Sequence, residues 1–338
     1  MKLIRKEHIY PIENCPIPPS CHASTLIRLK DGTIAAAWFA GTNESDPDVC
    51  IWFAKFDGNA WETPVCVTPD NNMAHWNPVL FLDNDTNTIW LFYKEGTTPR
   101  TWYTLITKST DDGKTWSEPE LLVEDDESPR GPVKNKMIEL SNGTWLAPTS
   151  YESLARCWML FMDRSEDKGK TWQQTDFVPM KLDETSDIVY THVDDMPEKS
   201  YGLIQPTLWE ELENPGHVHL LARSSLCRVY RADSTDYGKT WSRAYPIDLP
   251  NNNSGLDVVR TDDGTLALIY NPVSGDWAER TPISVSISRD NGQTWTERID
   301  LETIPGEYSY PAIIADGNKL YMTYTYQRKT VEFAIIEL

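Results

Sequence analysis

Four near-identical eight-residue segments are the most regular feature of the 338-residue sequence that could carry chemistry. They follow the pattern S-x-D-x-G-x-T-W and read STDDGKTW from Ser109, SEDKGKTW from Ser165, STDYGKTW from Ser234 and SRDNGQTW from Ser288. Aspartates in a turn can ligate calcium, but each copy supplies only one or two carboxylates and lacks the bidentate glutamate of a calcium loop. Four copies spread along the chain also cannot occupy one active site. The pattern therefore predicts a structural element without a metal.

The cysteines and histidines show no spacing that is typical of a metal site. The six cysteines are scattered without a C-x-x-C pair, which favours reduced and mostly buried thiols in a chain of this length. His217 and His219 alternate along one segment, but no third ligand follows at the spacing of a zinc site. The sequence thus predicts neither a metal nor a cofactor.

The residues around each S-x-D-x-G-x-T-W segment, hereafter the Asp-box, predict the element that carries it. An alternating apolar run such as PISVSIS precedes each box, and alternation that enters Asp-x-Gly is typical of a strand leading into a hairpin turn. The Asp can accept backbone N–H groups, the Gly can adopt a left-handed conformation, and the Trp ring can pack over the hairpin. Each box is therefore predicted to be a β-hairpin turn.

Tryptophans close the four boxes and a degenerate fifth copy, at positions 61, 116, 172, 241 and 295. The spacings of 55, 56, 69 and 54 residues each accommodate four short strands, as in a propeller blade. Since 338 residues contain about six such units, the sequence predicts an all-β fold with one six-bladed β-propeller domain over residues 1–338. A seven-bladed propeller is the alternative. The boxes lie at 109–116, 165–172, 234–241 and 288–295, with the degenerate copy at 54–61.

The overall charge restricts the partners. The formal net charge of −20 disfavours nucleic acid and anionic membranes, because both are polyanions. No stretch approaches the roughly 18 apolar residues of a membrane span, and the N-terminal segment lacks the apolar region of an export signal. We therefore expect a soluble cytoplasmic protein. The sequence predicts nothing about its oligomeric state.

Asp-boxes spaced about one blade apart resemble those of the sialidase (neuraminidase) superfamily, and the resemblance covers nearly the whole chain. Further segments are similar to a bacterial, sialidase-like family of BNR repeats. They are CHASTLIRLKDGTIAAAWFAGT, HWNPVLF, GPVKNKMIELSNGTWLAPTSYE, IQPTLWE, NNNSGLDVV and GEYSYPAI. Sialidases of this fold hold the substrate carboxylate with three arginines, attack with a tyrosine paired with a glutamate, and use an aspartate as acid/base.

The resemblance implies roles for particular residues. Arg223 matches the second arginine of the family, on a strand just before a box, and Arg280 matches the third, in the next blade before its box. Tyr308 in GEYSYPAI matches the catalytic tyrosine, and Tyr310 is the second choice. In the segment GTNESDPDVCIW, Asp46 is the candidate acid/base and the aspartate two residues later is the reserve. Guanidinium groups suit this task because they bind a carboxylate bidentately.

Two positions depart from the family pattern. His22 stands where the first arginine is expected, and Gln205 stands where the glutamate that polarises the tyrosine is expected. A histidine at this position is either a core residue or a general acid/base that works near neutral pH. The clamp for the carboxylate thus consists of two arginines and a histidine, and the nucleophile lacks its usual base.

Four further residues are candidates for substrate binding. Lys134 and Lys136 alternate on one strand and could replace the missing arginine, or they could protect the edge of a sheet. Trp76 and Asn77 could stack on a sugar and hydrogen-bond to it, although a tryptophan here is also a typical core residue.

Three functions fit these residues. The first is an exo-acting, sialidase-like glycoside hydrolase that removes a terminal acidic sugar from an oligosaccharide. The second is a propeller enzyme that cleaves rhamnose–glucuronate linkages, as a lyase or a rhamnosidase, with a histidine such as His22. The third is a glycan-binding propeller without catalysis. The matching tyrosine, aspartate and arginines favour an enzyme.

Overall fold

The computed structural model describes residues 1–13, 15–69 and 71–338, and in these ranges it contains 24 β-strands and one short 3-10 helix. The chain divides into two units. The first unit comprises residues Met1–Pro129 and Glu307–Leu338, and the second comprises Arg130–Gly306. The single domain expected from the sequence stays a prediction. Among the described residues, no helix is long and apolar enough to cross a membrane.

The first unit consists of three antiparallel sheets of four strands each, numbered here in chain order. One sheet contains β2 (Ser20–Arg28), β3 (Ile34–Gly41), β4 (Cys50–Phe56) and β5 (Val65–Cys66). The next contains β6 (His75–Asp83), β7 (Thr88–Glu95), β8 (Tyr103–Ser109) and β9 (Glu120–Leu121). The third joins both parts of the unit in the order β1 (Lys2–His8), β24 (Thr330–Glu337), β23 (Lys319–Tyr326) and β22 (Tyr308–Asp316). Trp38, Phe56 and Phe333 from two of these sheets pack in one buried cluster.

The second unit contains the remaining strands and the 3-10 helix Val193–Asp195. Eight strands form one sheet: β10 (Ile138–Glu139), β11 (Trp145–Glu152), β12 (Cys157–Ser165), β13 (Gln173–Gln174), β14 (Tyr201–Glu210), β15 (Val218–Ser224), β16 (Arg228–Ser234) and β17 (Tyr245–Pro250). Its two halves join where β12 and β14 pair in parallel over two residues. The last sheet contains β18 (Asp257–Arg260), β19 (Leu266–Tyr270), β20 (Ile283–Ser288) and β21 (Glu297–Glu302).

The four Asp-boxes form hairpin turns with the predicted hydrogen bonds. In the first box, Asp111 accepts from the backbone N–H and the hydroxyl of Thr115 at 2.9 and 2.7 Å, and Ser109 accepts from the N–H of Gly113 at 2.9 Å. The Thr115 hydroxyl and backbone bonds lower the pKa of Asp111 to about 2. The same bonds recur in the other three boxes. The boxes are therefore structural, as the sequence predicts.

The first and third boxes also fasten their hairpins to a neighbouring group of strands. The ring of Trp116 packs edge-on against Phe53 of β4, with ring centroids 5.4 Å apart. A Cβ atom on Gly113 would lie 2.5 Å from the same phenylalanine, so only a glycine fits. In the second unit, Gly238 packs against Leu146 of β11 in the same way. The Asp-box thus joins successive strand groups within a unit.

The prediction that most cysteines are buried is wrong. Only Cys21 and Cys157 are buried, whereas Cys15, Cys50 and Cys227 are half-buried and Cys66 is exposed. Cys66 lies on the two-residue edge strand β5, which the rest of the sheet cannot cover. No disulfide joins any of these six residues, all of which belong to the described part of the chain.

Candidate functional site

Four strands each contain a residue with a left-handed backbone conformation, and predicted site residues lie at or beside these positions. In β2, β6, β14 and β22 the register against the next strand shifts at such a residue. The residues are Ala23 (φ 54°), Asn77 (φ 42°), Gln205 (φ 54°) and Tyr310 (φ 50°). A β-bulge re-aims a side chain that would otherwise follow the pleat, and backbone strain of this kind is concentrated at functional sites. The bulges therefore mark the positions in each unit where candidate site residues lie.

In the first unit, His22 lies directly before the bulge of β2 and is almost completely buried. Its Nδ1 atom lies 2.9 Å from the hydroxyl oxygen of Thr325 on β23. Its ring contacts the ring of Tyr310, with centroids 4.0 Å apart, and meets Phe39 edge-on at 5.8 Å. The histidine is thus held on one nitrogen and packed against an aromatic hydroxyl side chain.

The two candidate tyrosines of β22 have different surroundings. Tyr308 is buried, pairs with Tyr326 across the strands, and accepts a hydrogen bond from Nε2 of Gln327 at 3.0 Å. Tyr310 occupies the bulge and is half-buried. Since a nucleophile must reach its substrate, the surroundings of Tyr310 suit that role better than those of Tyr308. The sequence ranks the two residues in the opposite order.

The candidate acid/base lies in the loop of residues 42–49 between β3 and β4. Asp46 is half-buried and accepts a hydrogen bond from Nδ2 of Asn43 at 2.9 Å, while Asp48 is exposed and accepts from the hydroxyl of Thr42 at 2.8 Å. Glu44 of the same loop forms an ion pair with Arg328 at 2.6 Å.

Arg328 ties this loop to the strand that bears both tyrosines. It also pairs with Glu307, directly before β22, at 2.7 Å. Burial alone would lower the pKa of Arg328, but the carboxylates of Glu44 and Glu307 raise it. The two ion pairs therefore hold the loop of Asp46 beside the start of β22.

Trp76 and Asn77 lie on β6 of the first unit. Trp76 is buried, and its indole N–H donates to the carbonyl oxygen of Gly96 at 2.8 Å. Its ring meets Phe39 and Trp102 edge-on. These contacts are those of a core tryptophan. Asn77 is buried at the bulge of the strand.

In the second unit, Arg223 of β15 is an almost completely enclosed candidate for binding an acidic group. Only 2% of its surface is exposed. Its Nε donates to Oδ1 of Asn253 at 2.8 Å, and its Nη1 donates to Oε1 of Gln205 at 3.1 Å. The guanidinium carbon lies 5.7 Å from the ring of Trp158 and 5.4 Å from that of Trp277. Neutral amide acceptors orient a guanidinium without cancelling its charge, and aromatic faces stabilise that charge.

The sequence analysis missed Trp277. This residue lies in the connection between β19 and β20, and 57% of its surface is exposed although it contacts Arg223. The preceding Asp276 accepts a hydrogen bond from Asn253, the same side chain that orients Arg223. The available signal was a tryptophan in a loop rich in Gly, Ser and Pro, where a core residue is not expected. An exposed indole beside a buried cation can stack on a sugar ring.

The prediction that Lys134 and Lys136 alternate on one strand is wrong, because both precede β10 in an irregular segment in which Lys134 has a left-handed backbone conformation. Lys134 is buried beside these groups and Lys136 is mostly covered. Nζ of Lys134 donates to Oδ1 of Asn135 at 2.8 Å and to the carbonyl oxygen of Leu256 at 3.1 Å. The pKa of Lys134 is lowered to about 7: burial is the main cause, Asp257 opposes it, and the charges of Lys136 and Arg223 add to it. Gly255 packs closely against Lys134, since a Cβ atom on this glycine would lie 3.0 Å from the lysine side chain.

Lys136 and Arg280 are less buried than Lys134 and have other bonding partners. Nζ of Lys136 lies 2.8 Å from both carboxylate oxygens of Asp257, so this lysine is held in an ion pair. Burial also lowers the pKa of Lys136, against the effect of Asp257. Arg280 is half-buried in the connection between β19 and β20, where its carbonyl oxygen accepts from Asn271 at 3.0 Å.

Solved structures with a similar fold define the class. The chain superposes on the Hadza microbial sialidase Hz136 with a TM-score of 0.78 and 16% identity, covering 98% of this chain and 68% of that one. A protein of unknown function from Dyadobacter fermentans gives a TM-score of 0.75 at 18% identity, with 100% and 99% of the two chains covered. The fold is thus an all-β propeller of the sialidase type, as the sequence predicts. The number of blades stays a prediction.

Sequence comparison identifies the family. Residues 32–322 match the model of the BNR repeat-like domain. The chain belongs to this family, within the sialidase superfamily. It is 25% identical over 250 residues to a sialidase of Bacteroides fragilis (strain YCH46), which covers 65% of this chain. The chain spans 41% of the length of that relative.

Proposed function

We propose that this protein is a sialidase-like glycoside hydrolase that removes a terminal acidic sugar from an oligosaccharide. The observation that carries the proposal is Arg223, a buried guanidinium oriented by two amide oxygens and flanked by two indole rings. Such a group binds a carboxylate strongly because it is fixed in place before the substrate arrives. Arg280 supplies further positive charge in the same unit. The likeness to the sialidase of Bacteroides fragilis supports the same reaction class.

By the resemblance, Gln205 stands where the family has the glutamate that polarises the nucleophile. Its amide oxygen accepts from Arg223, and an amide cannot take a proton from a tyrosine as a glutamate could. His22 is the remaining candidate base, since its ring packs against Tyr310. We therefore assign Tyr310 as nucleophile and His22 as its base, with Asp46 as the acid that protonates the leaving oxygen.

The proposed reaction consumes one water. The Tyr310 oxygen bonds to the anomeric carbon while His22 takes the phenolic proton and Asp46 protonates the departing oligosaccharide oxygen. Water then displaces the tyrosine: its oxygen bonds to the anomeric carbon, its proton goes to Asp46, and the tyrosine takes its own proton back from His22. The two products together have the mass of the substrate plus one water.

A substrate panel tests the proposal. The purified chain is incubated with oligosaccharides that end in a sialic or uronic acid and with matched neutral oligosaccharides, and the released sugars are identified by mass spectrometry. We expect cleavage of acid-terminated members only. Equal cleavage of a neutral counterpart would overturn the role of Arg223, and binding of the glycans without any cleavage would favour a non-catalytic propeller.

A second function is favoured by the surroundings of His22. A buried histidine against a tyrosine, in place of an arginine, also suits the cleavage of a rhamnose–glucuronate linkage. In the elimination form of this reaction, His22 takes the proton next to the uronate carboxylate and Tyr310 protonates the leaving oxygen. One product is then an unsaturated uronate, and no water is added. The mass of the products distinguishes the two reactions.

A further inference from the structure

Two thiols lie within bonding reach at the edge of the first unit. The Sγ atoms of Cys50 on β4 and Cys66 on β5 are 2.9 Å apart, less than an ångström beyond the roughly 2.05 Å of a disulfide bond. In the register of the two strands, Cys66 pairs with Trp52, so the cysteines occupy diagonal positions on the same face. Only a small side-chain movement separates the dithiol from a disulfide.

The surrounding backbone keeps the two cysteines together. Next to the pair, the N–H of Val67 donates to the carbonyl oxygen of Ile51 at 2.8 Å, and the N–H of Ile51 donates to the hydroxyl of Thr68 at 3.0 Å. These bonds extend the pairing of the short strand β5 beyond its two residues. The proximity of the thiols therefore follows from the sheet and not from two freely rotating side chains.

The two thiols differ in their access to solvent. Cys66 is exposed, whereas Cys50 is half-buried. The hydrogen bond from Cys66 and, after it, burial raise the pKa of Cys50. Cys66 is therefore the thiol that meets a reagent from solution, and its thiolate is the attacking species. Cys50 is placed to react with Cys66 in the second step.

We propose that Cys50 and Cys66 form a reversible disulfide site that takes a small-molecule disulfide such as oxidised glutathione as its oxidant. The Cys66 thiolate attacks one sulfur of the oxidant, forms a mixed disulfide and releases one thiolate. The Cys50 sulfur then attacks Cys66 Sγ, loses its proton and releases the second small thiol. The protein pair gives up two electrons, and the oxidant gains two electrons and two protons to become two thiols. The new bond closes a covalent ring around the β4–β5 connection.

Peptide mapping tests the proposal directly. The reduced full-length chain is equilibrated with a series of reduced and oxidised glutathione ratios, alkylated and digested with trypsin. Lys55 lies between the two cysteines, so trypsin leaves Cys50 in the peptide 31–55 and Cys66 in the peptide 56–94. We expect these peptides to become cross-linked as the proportion of oxidised glutathione rises, and to separate again with dithiothreitol.

Single variants test the order of the two steps. In Cys50→Ser, we expect Cys66 to accumulate as a mixed disulfide with glutathione. In Cys66→Ser, we expect Cys50 to stay unmodified under the same conditions. Cys227→Ser is the matched control, because it removes a half-buried thiol elsewhere and should leave the cross-link unchanged. The proposal fails if the wild-type chain accumulates glutathione on Cys66 without the cross-link, or if Cys66 becomes linked to another cysteine.

Discussion

The ring centroids of His22 and Tyr310 lie 4.0 Å apart, and the two ring planes are inclined by 41°. The two residues come from strands β2 and β22, at opposite ends of the sequence, and each lies at or beside a bulge. Thr325 holds Nδ1 of His22 at 2.9 Å. This ring contact is the basis for the proposal that His22 takes the place of the missing glutamate as the base of the tyrosine.

Replacing the tyrosine hydroxyl should reveal the nucleophile. We expect Tyr310→Phe to lower kcat on an acid-terminated substrate at least ~100-fold, because the attacking oxygen is removed while the ring still packs against His22. Steady-state kinetics measures the effect. The same change at Tyr308 decides between the two candidates: a comparable loss there, with Tyr310→Phe fully active, would restore the choice made from the sequence.

Removing the buried guanidinium should weaken substrate recognition. Arg223→Met should lower kcat/KM for acid-terminated substrates roughly 10- to 100-fold, the equivalent of losing a charge-assisted contact of about 1.5–3 kcal/mol. Arg228→Met on the next strand is the matched control, since that arginine is an exposed partner of Asp248. An Arg223 variant that keeps its thermal stability and its kcat/KM would rule out the carboxylate-binding role.

The buried lysine should make stability depend on pH. Burial places the pKa of Lys134 at about 7 in the folded chain, below its ordinary value of 10.5. The folded state therefore disfavours the charged form, so the contribution of Lys134 to stability is lowest below pH 7 and recovers as the pH rises toward 10.5.

Urea denaturation at pH 7 and pH 9.5 measures this effect. Relative to Lys134→Met, the wild type should gain unfolding free energy between the two pH values. Lys199→Met, on an exposed side chain, controls for removing a surface lysine. A difference between wild type and Lys134→Met that does not change with pH contradicts the assignment.

The Asp-box glycine should matter for packing beyond its backbone conformation. Gly113 and Gly58 both have a positive φ, but a Cβ atom would strike Phe53 at Gly113 and would meet open space at Gly58. We expect Gly113→Ala to cost about 2–4 kcal/mol of unfolding free energy and Gly58→Ala only about 1 kcal/mol. Chemical denaturation compares them. Equal losses would mean that the box does not fasten its hairpin to β4.

The sequence was sufficient where a local pattern determines the structure. The Asp-box hairpins follow from Asp, Gly and Thr at fixed offsets, since the bonds of Asp111 and Ser109 lie within seven residues. The family resemblance likewise placed Arg223 and Gln205 in matching positions, and the structure shows that they are in contact.

The remaining features depend on contacts that a linear pattern does not contain. Period-two alternation places Tyr308 and Tyr310 on one face, but the left-handed conformation of Tyr310 separates them, and no glycine signals that bulge. Trp277 is exposed because its loop is held by Asn253, a residue 24 positions earlier in the chain. The proximity of Cys50 and Cys66 similarly depends on the register of a two-residue strand.

The central claim is that the protein hydrolyses the bond to a terminal acidic sugar. The most direct test is to incubate the wild-type chain with an acid-terminated oligosaccharide in water enriched in oxygen-18. The masses of both products are then measured by mass spectrometry. The account predicts that one oxygen-18 atom appears in the released acidic sugar and that the products together gain one water. An unsaturated uronate without the label would contradict hydrolysis and would establish the His22-dependent elimination instead.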